Sequence, residues 1–343
     1  MDFAAKLIRW QRRSGRSGLP WQGVRDAYRV WLSEVMLQQT QVAAVIPYYL
    51  RFVERFPSVE ALAAAQQDEV LRLWSGLGYY ARGRNLHAAA QVIVRDGFPR
   101  TAAGIEALPG VGRSTAGAIA AFAFGERAAI LDGNVKRVLA RAFGVEGWPG
   151  ERTVQEKLWT LAESLLPARG IETYSQALMD LGATVCTPRP RCAACPLRKD
   201  CSAYGTGRVA AIPAPRPRRA LPVREATWHV VRHREWVLLE RRKAEGLWGG
   251  LLTFPERRPA TLKAAGRALA PLEHGFTHFR LRIRPLLYDV ARRPSGAGWT
   301  PIADALSGAV PAPVRKVLKA LPTASRSGGR AAPPGRPARG ASA

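Results

Sequence analysis

Two carboxyl groups stand where their surroundings would divide a proton and a charge between them. Glu34 lies in SEVMLQQTQV, residues 33–42, an acid inside an apolar stretch that is followed by glutamines. At about 3.6 residues per turn it shares a helix face with Val30, Leu37 and Gln38, and apolar neighbours raise a carboxyl pKa. Standing alone, Glu34 reads as a helix-edge acid reaching for water. Asp132 lies in ILDGNVKRVLAR, residues 130–141, just ahead of a helical face made of Val135, Val138, Leu139 and Ala142. With Asn134 it falls at the helix start, where unpaired backbone N–H groups and the helix dipole hold a carboxyl ionised. Alone it is a plain N-cap. Facing each other, an acid that keeps its proton and one that keeps its charge would suit glycosidic cleavage through an oxocarbenium-like transition state.

Two further motifs carry chemistry. CTPRPRCAACPLRKDC places Cys186, Cys192, Cys195 and Cys201 at intervals of five, two and five residues. Four thiolates so close together can wrap one centre, either a [4Fe-4S] cluster or a structural zinc. A zinc ribbon usually shows two C-x-x-C knuckles and this stretch has one, which favours the iron–sulfur cluster. Arg189, Arg191, Arg198 and Lys199 lie between the ligands and could meet phosphates. LPGVGRSTAG, residues 108–117, reads as a glycine-rich turn with Gly110, Val111 and Gly112 feeding a helix from Ser114. Such a turn aims backbone N–H groups outward at an anion, or simply joins two helices tightly.

Positioning these residues falls to a chain of 343 residues, long enough for two domains, with 47% hydrophobic content. Its 52 Lys and Arg against 26 acids give a formal charge of +26, which favours a polyanionic partner such as nucleic acid. No window reaches the roughly 18 apolar residues of a membrane span, and the start reads as an amphipathic helix without a signal peptide's apolar core, so a cytoplasmic protein is expected. In such a reducing compartment the cysteines suit metal over disulfides. Residues 1–205 read as successive helices. Residues 206–222, TGRVAAIPAPRPRRALP, are acid-free and rich in Pro and Arg, an expected linker. Residues 223–320 contain β-rich runs, EATWHVVR, EWVLLERR and FRLRIRPLLYDV, and end in a helix near APVRKVLKAL. Residues 321–343 have the composition of a disordered basic tail.

Taken jointly, SEVMLQQTQV, GLGYYARGRNL, LPGVGRSTAG, LDGNVKRVLAR, ALMDLGATVC and the four cysteines resemble the helix-hairpin-helix DNA glycosylases, nearest the MutY-type adenine glycosylases. The resemblance runs from Leu19 to Cys201 and extends through GLWGG and FTH. It implies a mainly α fold, a helix-hairpin-helix glycosylase domain with a [4Fe-4S] loop, plus a smaller α+β Nudix-like C-terminal domain. It implies a monomeric, monofunctional enzyme that removes adenine opposite 8-oxoguanine or guanine in double-stranded DNA.

The same resemblance assigns roles. Glu34 becomes the acid that protonates the base, and Asp132 the stabiliser of the sugar cation, assisted by Asn134. Ser114 stands where the related endonuclease III branch has a Schiff-base lysine, and Lys136 becomes a phosphate contact. Gln39 and Tyr79 fall to the wedge beside 8-oxoguanine; Leu19, Trp21, Leu37 and Gln176 surround the adenine. Phe276, Thr277 and His278 form the loop at the damaged base, where Ser often replaces Thr277. Two further departures stand out. The segment after GLWGGLLTFPE, RRPATLKAAGRALA, lacks the acids with which Nudix hydrolases bind magnesium, so recognition without hydrolysis is expected. The five-residue Cys186–Cys192 interval is commonly six.

Overall fold

The computed structural model describes residues 2–217, 220–243, 245–293 and 298–322. The chain divides into two compact units, one of residues 1–222 with 241–251, the other of 223–240 with the remaining C-terminal residues. The first begins with α1 (Phe3–Ser14), α2 (Ala27–Leu37), α3 (Val42–Arg55), α4 (Val59–Ala64), α5 (Gln67–Trp74) and α6 (Tyr80–Asp96). It continues with α7 (Ala102–Glu106), α8 (Arg113–Phe124), α9 (Gly133–Phe143), α10 (Arg152–Ser164), α11 (Ile171–Thr184) and α12 (Ser202–Gly205). Local chemistry sets the boundaries. Asp26, Ser58, Thr101 and Asp132 each accept a backbone N–H in the first turn of the helix that follows. Gly125 and Gly144 close α8 and α9 at φ of 68° and 69°, a left-handed conformation that glycine adopts without a Cβ penalty.

Two hydrophobic cores fill this unit. One gathers Trp31, Leu32, Met36, Phe52, Phe56 and Trp74 from α2, α3, α5 and their surroundings. The other gathers Leu7, Val135, Leu139, Leu158, Tyr174 and Leu181 from α1 and α9 to α11. Helix α8 belongs to both: Ala116, Ile119 and Ala120 enter the first core, Ala118 and Ala121 the second. An apolar helix of mostly small side chains can be covered on all sides, and α8 packs against α2 and α11. The stretch read as a linker is partly docked here. Ile212, its one large apolar side chain before Leu221, is buried in the second core, and Ala214 N–H donates to Gly147 O at 3.0 Å.

In the second unit, β1 (Val223–His233) and β2 (Trp236–Leu238) form a hairpin across Arg234 and Glu235. Then come β3 (Glu240–Arg241), β4 (Leu252–Thr253), β5 (Arg267–Ala268), β6 (Leu272–Gly275), β7 (Arg280–Asp289), β8 (Trp299–Pro301), α13 (Ile302–Ser307) and α14 (Ala312–Lys319). The sheet order is β5-β7-β1-β2-β8 with β6 also on β7, and β1 runs parallel to β7 while the other pairs are antiparallel. Along β7, Leu281, Ile283 and Leu287 point inward while Arg280, Arg282 and Arg284 face solvent, the period of two expected of a half-buried strand. Residues 257–270, where a Nudix hydrolase would carry its acidic helix, are turns and the short β5. The expected basic tail lies, from residue 323 on, outside the described residues.

Helices α9 and α11 approach so closely that a Cβ on Gly182 would stand 2.6 Å from Asn134 Cβ and 2.9 Å from Asn134 O. Backbone blocks one side of that contact, so it cannot relax by a rotamer change alone. Gly182→Ala should therefore destabilise the protein by about 1–3 kcal/mol. Thermal unfolding checks this; an unchanged midpoint would show that the two helices can part.

Candidate active site

Glu34 sits on the last turns of α2 with Val35 and Met36 buried beside it. Burial of its carboxyl, and then the nearby Asp132, raise its pKa from 4.5 to about 8. Asp132 is the N-cap of α9 as the sequence predicts, and its Oδ1 accepts Val135 N–H at 2.8 Å. The expectation that the cap lowers its pKa is corrected. Burial raises it, and the backbone bonds from Val135 and Asn134, with Arg137 nearby, only oppose that rise. The desolvation of a dry site outweighs the cap. The asymmetry between the acids survives in their hydrogen bonds: Asp132 holds donors that favour the anion, including Asn134 Nδ2 at 3.4 Å, whereas what acts on Glu34 favours its neutral form.

The glycine-rich turn meets this pair from α8. Ser114 Oγ accepts Leu131 N–H at 2.9 Å, which ties the first turn of α8 to the residue before Asp132. Gly110 turns at φ 78°, and Val111 is buried against the first core. Gly112 is the N-cap of α8. Gln38, a residue given no role by sequence reasoning, joins the turn to α2: its Nε2 donates to Thr115 Oγ1 at 3.2 Å and Gly110 O at 3.4 Å. Lys136 is half-buried on the first turn of α9, and desolvation lowers its pKa. Arg137 Nη2 donates to Asn134 Oδ1 at 2.9 Å, and its Nε to Cys186 O at 2.6 Å.

Of the residues assigned to the base pocket, Trp21 is buried edge-on to Tyr49 with ring centroids 5.2 Å apart, and Leu19 and Leu37 pack against the same core. Gln176 reaches them through a relay. Its Nε2 donates to the fully buried Asp180 at 2.8 Å, and Asp180 also accepts Gln11 Nε2, Arg16 N–H and Arg16 Nε at 2.8, 2.9 and 2.8 Å. Arg16 O and Leu19 N–H are in turn bridged by the Gln22 amide. Asp180 lies inside the quoted ALMDLGATVC, yet only the fold shows that its partners Gln11 and Arg16 are more than 160 residues away in sequence.

Gln39 and Tyr79, the wedge candidates, are exposed and lie at φ 55° and 47°. Side chains with a Cβ enter that region at a cost of about 1–3 kcal/mol each. What holds them was missed by the sequence reading. Arg82, buried on the first turn of α6, donates from Nη1 to Val35 O, Met36 O and Gln38 O at 3.0, 2.8 and 2.6 Å. Its Nη2 donates to Thr40 Oγ1, Leu77 O and Gly78 O at 3.1, 3.4 and 3.3 Å. An arginine among ARGRNLHAAA is the only sequence signal, and it does not say where the guanidinium goes.

The four cysteines line one pocket with Arg141, Arg198 and Tyr204. Arg141 is buried and donates to Thr187 O at 2.6 Å and to Cys186 Sγ at 3.5 Å. Burial raises the pKa of Cys195 to about 11, and the three other thiols add to the rise, so they share one electrostatic site. Among the described residues no three His, Cys, Asp or Glu are placed to hold a lone metal ion.

In the second unit Phe276, Thr277 and His278 form the turn between β6 and β7, with Phe276 N–H donating to Phe279 O at 2.8 Å. Phe276 stacks on Phe279 at 4.5 Å, and Thr277 and His278 are exposed, with Thr277 Oγ1 3.4 Å from His278 Nδ1.

Comparison with known proteins agrees with this architecture. Residues 32–164 match the HhH-GPD superfamily of base excision DNA repair proteins, and residues 226–320 match the NUDIX domain. The adenine DNA glycosylase of Buchnera aphidicola (subsp. Schizaphis graminum) is 32% identical over 340 residues, covering 92% of this chain and 98% of that protein. The human adenine DNA glycosylase is 46% identical over 214 residues, covering 59% of this chain and 39% of the human one. Among solved structures, a thermostable thymine-DNA glycosylase superposes with a TM-score of 0.53 at 30% identity, over 60% of this chain and 95% of that one. A DNA complex of endonuclease III superposes at 0.50 and 23% identity over 60% and 94%, a likeness of fold. Two partly buried acids, a glycine-rich hairpin and similarity over most of the chain converge: the chain belongs to the adenine DNA glycosylase family, with a helix-hairpin-helix glycosylase unit followed by a Nudix-like unit.

Proposed function

We propose that this enzyme, a DNA N-glycosylase of base excision repair, releases adenine that stands opposite 8-oxoguanine or guanine in double-stranded DNA and leaves an abasic site without cutting the strand. The observation that carries the reading is Glu34, an acid whose pKa is raised to about 8, beside Asp132, the N-cap of α9. At neutral pH Glu34 holds a proton to give to the base, so that adenine leaves neutral. The Asp132 carboxylate faces the cation that develops on the sugar, and Asn134 and Val135 keep that carboxylate oriented. Ser114 offers a hydroxyl already engaged with Leu131 N–H, which supports a hydrolytic over a Schiff-base course. The amine of Lys136 has a lowered pKa, which allows side reactions with the opened sugar at most.

Leu19, Trp21, Leu37 and Gln176 shape the adenine pocket in this reading, Gln39 and Tyr79 fill the gap, and Phe276, Thr277 and His278 read the 8-oxoguanine. The hairpin at Gly110, Val111 and Gly112, together with Lys136, binds phosphate. The cysteine pocket holds a [4Fe-4S] cluster, because four thiols with shared electrostatics stand beside two arginines that compensate a thiolate-bound group's charge. When bound, the cluster staples residues 186–201 into one loop. Anaerobically purified protein should contain about four iron atoms per chain and absorb in the visible; stoichiometric zinc would replace the cluster with a structural ion.

Single-turnover assays on duplexes carrying adenine opposite 8-oxoguanine, guanine or thymine should show release opposite the first two, with strand breaks only after alkali. Breaks without alkali, trapped by borohydride on a lysine, would move the enzyme to the lyase class. Release should fall as pH rises through about 8, where Glu34 loses its proton. Glu34→Gln should abolish release while binding persists, and near-normal excision would remove Glu34 from its role.

The same acid links pH to stability. Between 4.5 and about 8 the folded protein retains a proton on Glu34 that the unfolded chain releases, so stability falls as pH rises through that window. Glu34→Gln, which carries no such linkage, should be more stable than the parent by about 3 kcal/mol near pH 7 and indistinguishable near pH 4. Denaturant unfolding at both pH values measures the difference, and a constant offset would mean that Glu34 is ionised in the folded state.

A further inference from the structure

We infer that Arg82 is a positioning residue for base extrusion: one guanidinium fixes the loop tips carrying Gln39 and Tyr79 into a two-pronged wedge. This rests on the reading above, in which the enzyme opens a duplex.

Three observations carry it. The first is what Arg82 bonds. Its Nη1 gathers Val35 O, Met36 O and Gln38 O, carbonyls that the end of α2 leaves without helical partners. Its Nη2 reaches Thr40 on the far side of Gln39, and Leu77 O and Gly78 O just before Tyr79. Gln39 is thus bracketed by bonds at residues 38 and 40, and Tyr79 is held by the carbonyl preceding it. The second is strain. Gln39 and Tyr79 are two of only four non-glycine residues at positive φ among the described residues, and these two flank one cation. The third is exposure. Tyr79 is 49% exposed and Gln39 is also exposed, whereas Arg82 is only 9% exposed, so the clamp is buried and the prongs are not. The Arg82 guanidinium lies 5.5 Å from the Tyr79 ring centroid and 5.4 Å from that of Trp74, which anchors the same loop by donating Nε1–H to Gly78 O at 3.0 Å.

The chemistry requires arginine. Six neutral oxygens, on the end of α2 and on the loops that follow α2 and α5, are reached by a planar fork whose two terminal nitrogens point apart, and an ammonium has one nitrogen to offer. Burial lowers the pKa of Arg82 to about 10, so it stays charged at neutral pH. A preorganised wedge replaces the stacking lost by the extruded base, without ordering two loops at that moment.

Arg82→Lys retains charge and volume and separates this role from folding. Single-turnover release should be measured on two duplexes with the same adenine opposite 8-oxoguanine, one fully paired and one with both flanking pairs mismatched so that the stack is already loose. The parent enzyme is run first; if it releases no adenine, the functional reading fails before the inference is reached. Given an active parent, Arg82→Lys should be slower by roughly 30-fold on the paired duplex and by less than about 3-fold on the loosened one. The fluorescence rise of 2-aminopurine at the target position should shrink on the paired duplex only. Thr40→Val, which removes a single acceptor, should show the same selectivity at smaller size and covers the case in which Arg82→Lys does not fold. Equal losses on both duplexes would mean a general structural role, and no loss on either would leave the wedge independent of the clamp; each overturns the inference.

Discussion

Glu34 keeps its proton at neutral pH because its carboxyl is desolvated and a second carboxyl, Asp132, lies near it, and the helices of the first unit bring both conditions together. Its helix, α2, is covered on its buried face by the first core, while Asp132 is set by α9, which belongs to the second. Neither core alone would bring the acids into mutual influence. Helix α8 does so by lending small apolar side chains to both cores, and Ser114 at its start fixes the residue before Asp132. The Gly182–Asn134 contact then sets how closely α11 can support α9.

Dryness has a second consequence, visible in the buried arginines. Arg82 and Arg141 direct most of their donors to backbone carbonyls, Thr40 Oγ1 and Cys186 Sγ being the exceptions, and Arg137 divides its donors between carbonyls and the Asn134 amide. A carbonyl accepts without neutralising the cation, so these groups organise loop backbone and still leave positive potential behind. In a chain of formal charge +26 that meets a polyanion, this reinforces binding where carboxylate partners would weaken it. Asp180 is the reverse case, an anion that gathers four donors from three separate segments and holds Gln176 in line with the turn that bears Leu19.

Features encoded within one or two helical turns were legible from the residues. The cap at Asp132, the break at Gly110, the alternation of β7 and the apolar surround of Glu34 all follow from neighbours close in sequence. Whatever depends on distant oxygen atoms was not. Arg82 acts on residues 35–40 and 77–78, and nothing in YARGRNL distinguishes it from Arg84. The raised pKa of Asp132 was misread for the same reason: the cap bonds are local and legible, but the burial that outweighs them comes from packing of the whole unit. The docking of Ile212 was likewise hidden in a stretch whose composition describes a linker.

The shortened Cys186–Cys192 interval shows how such a departure can be absorbed. Arg191 N–H donates to Val185 O at 2.9 Å, which closes the loop onto the end of α11, and Thr187 Oγ1 donates to Arg189 O at 2.6 Å within it. Arg141 holds Thr187 O and Pro188 O from beneath. With its carbonyls engaged by fixed donors, the loop has little conformational freedom left. A missing residue then changes the surface of the loop more than the place of Cys186, because the loop is held through Val185 O by Arg191 N–H and through Thr187 O and Pro188 O by Arg141, which also reaches Cys186 Sγ.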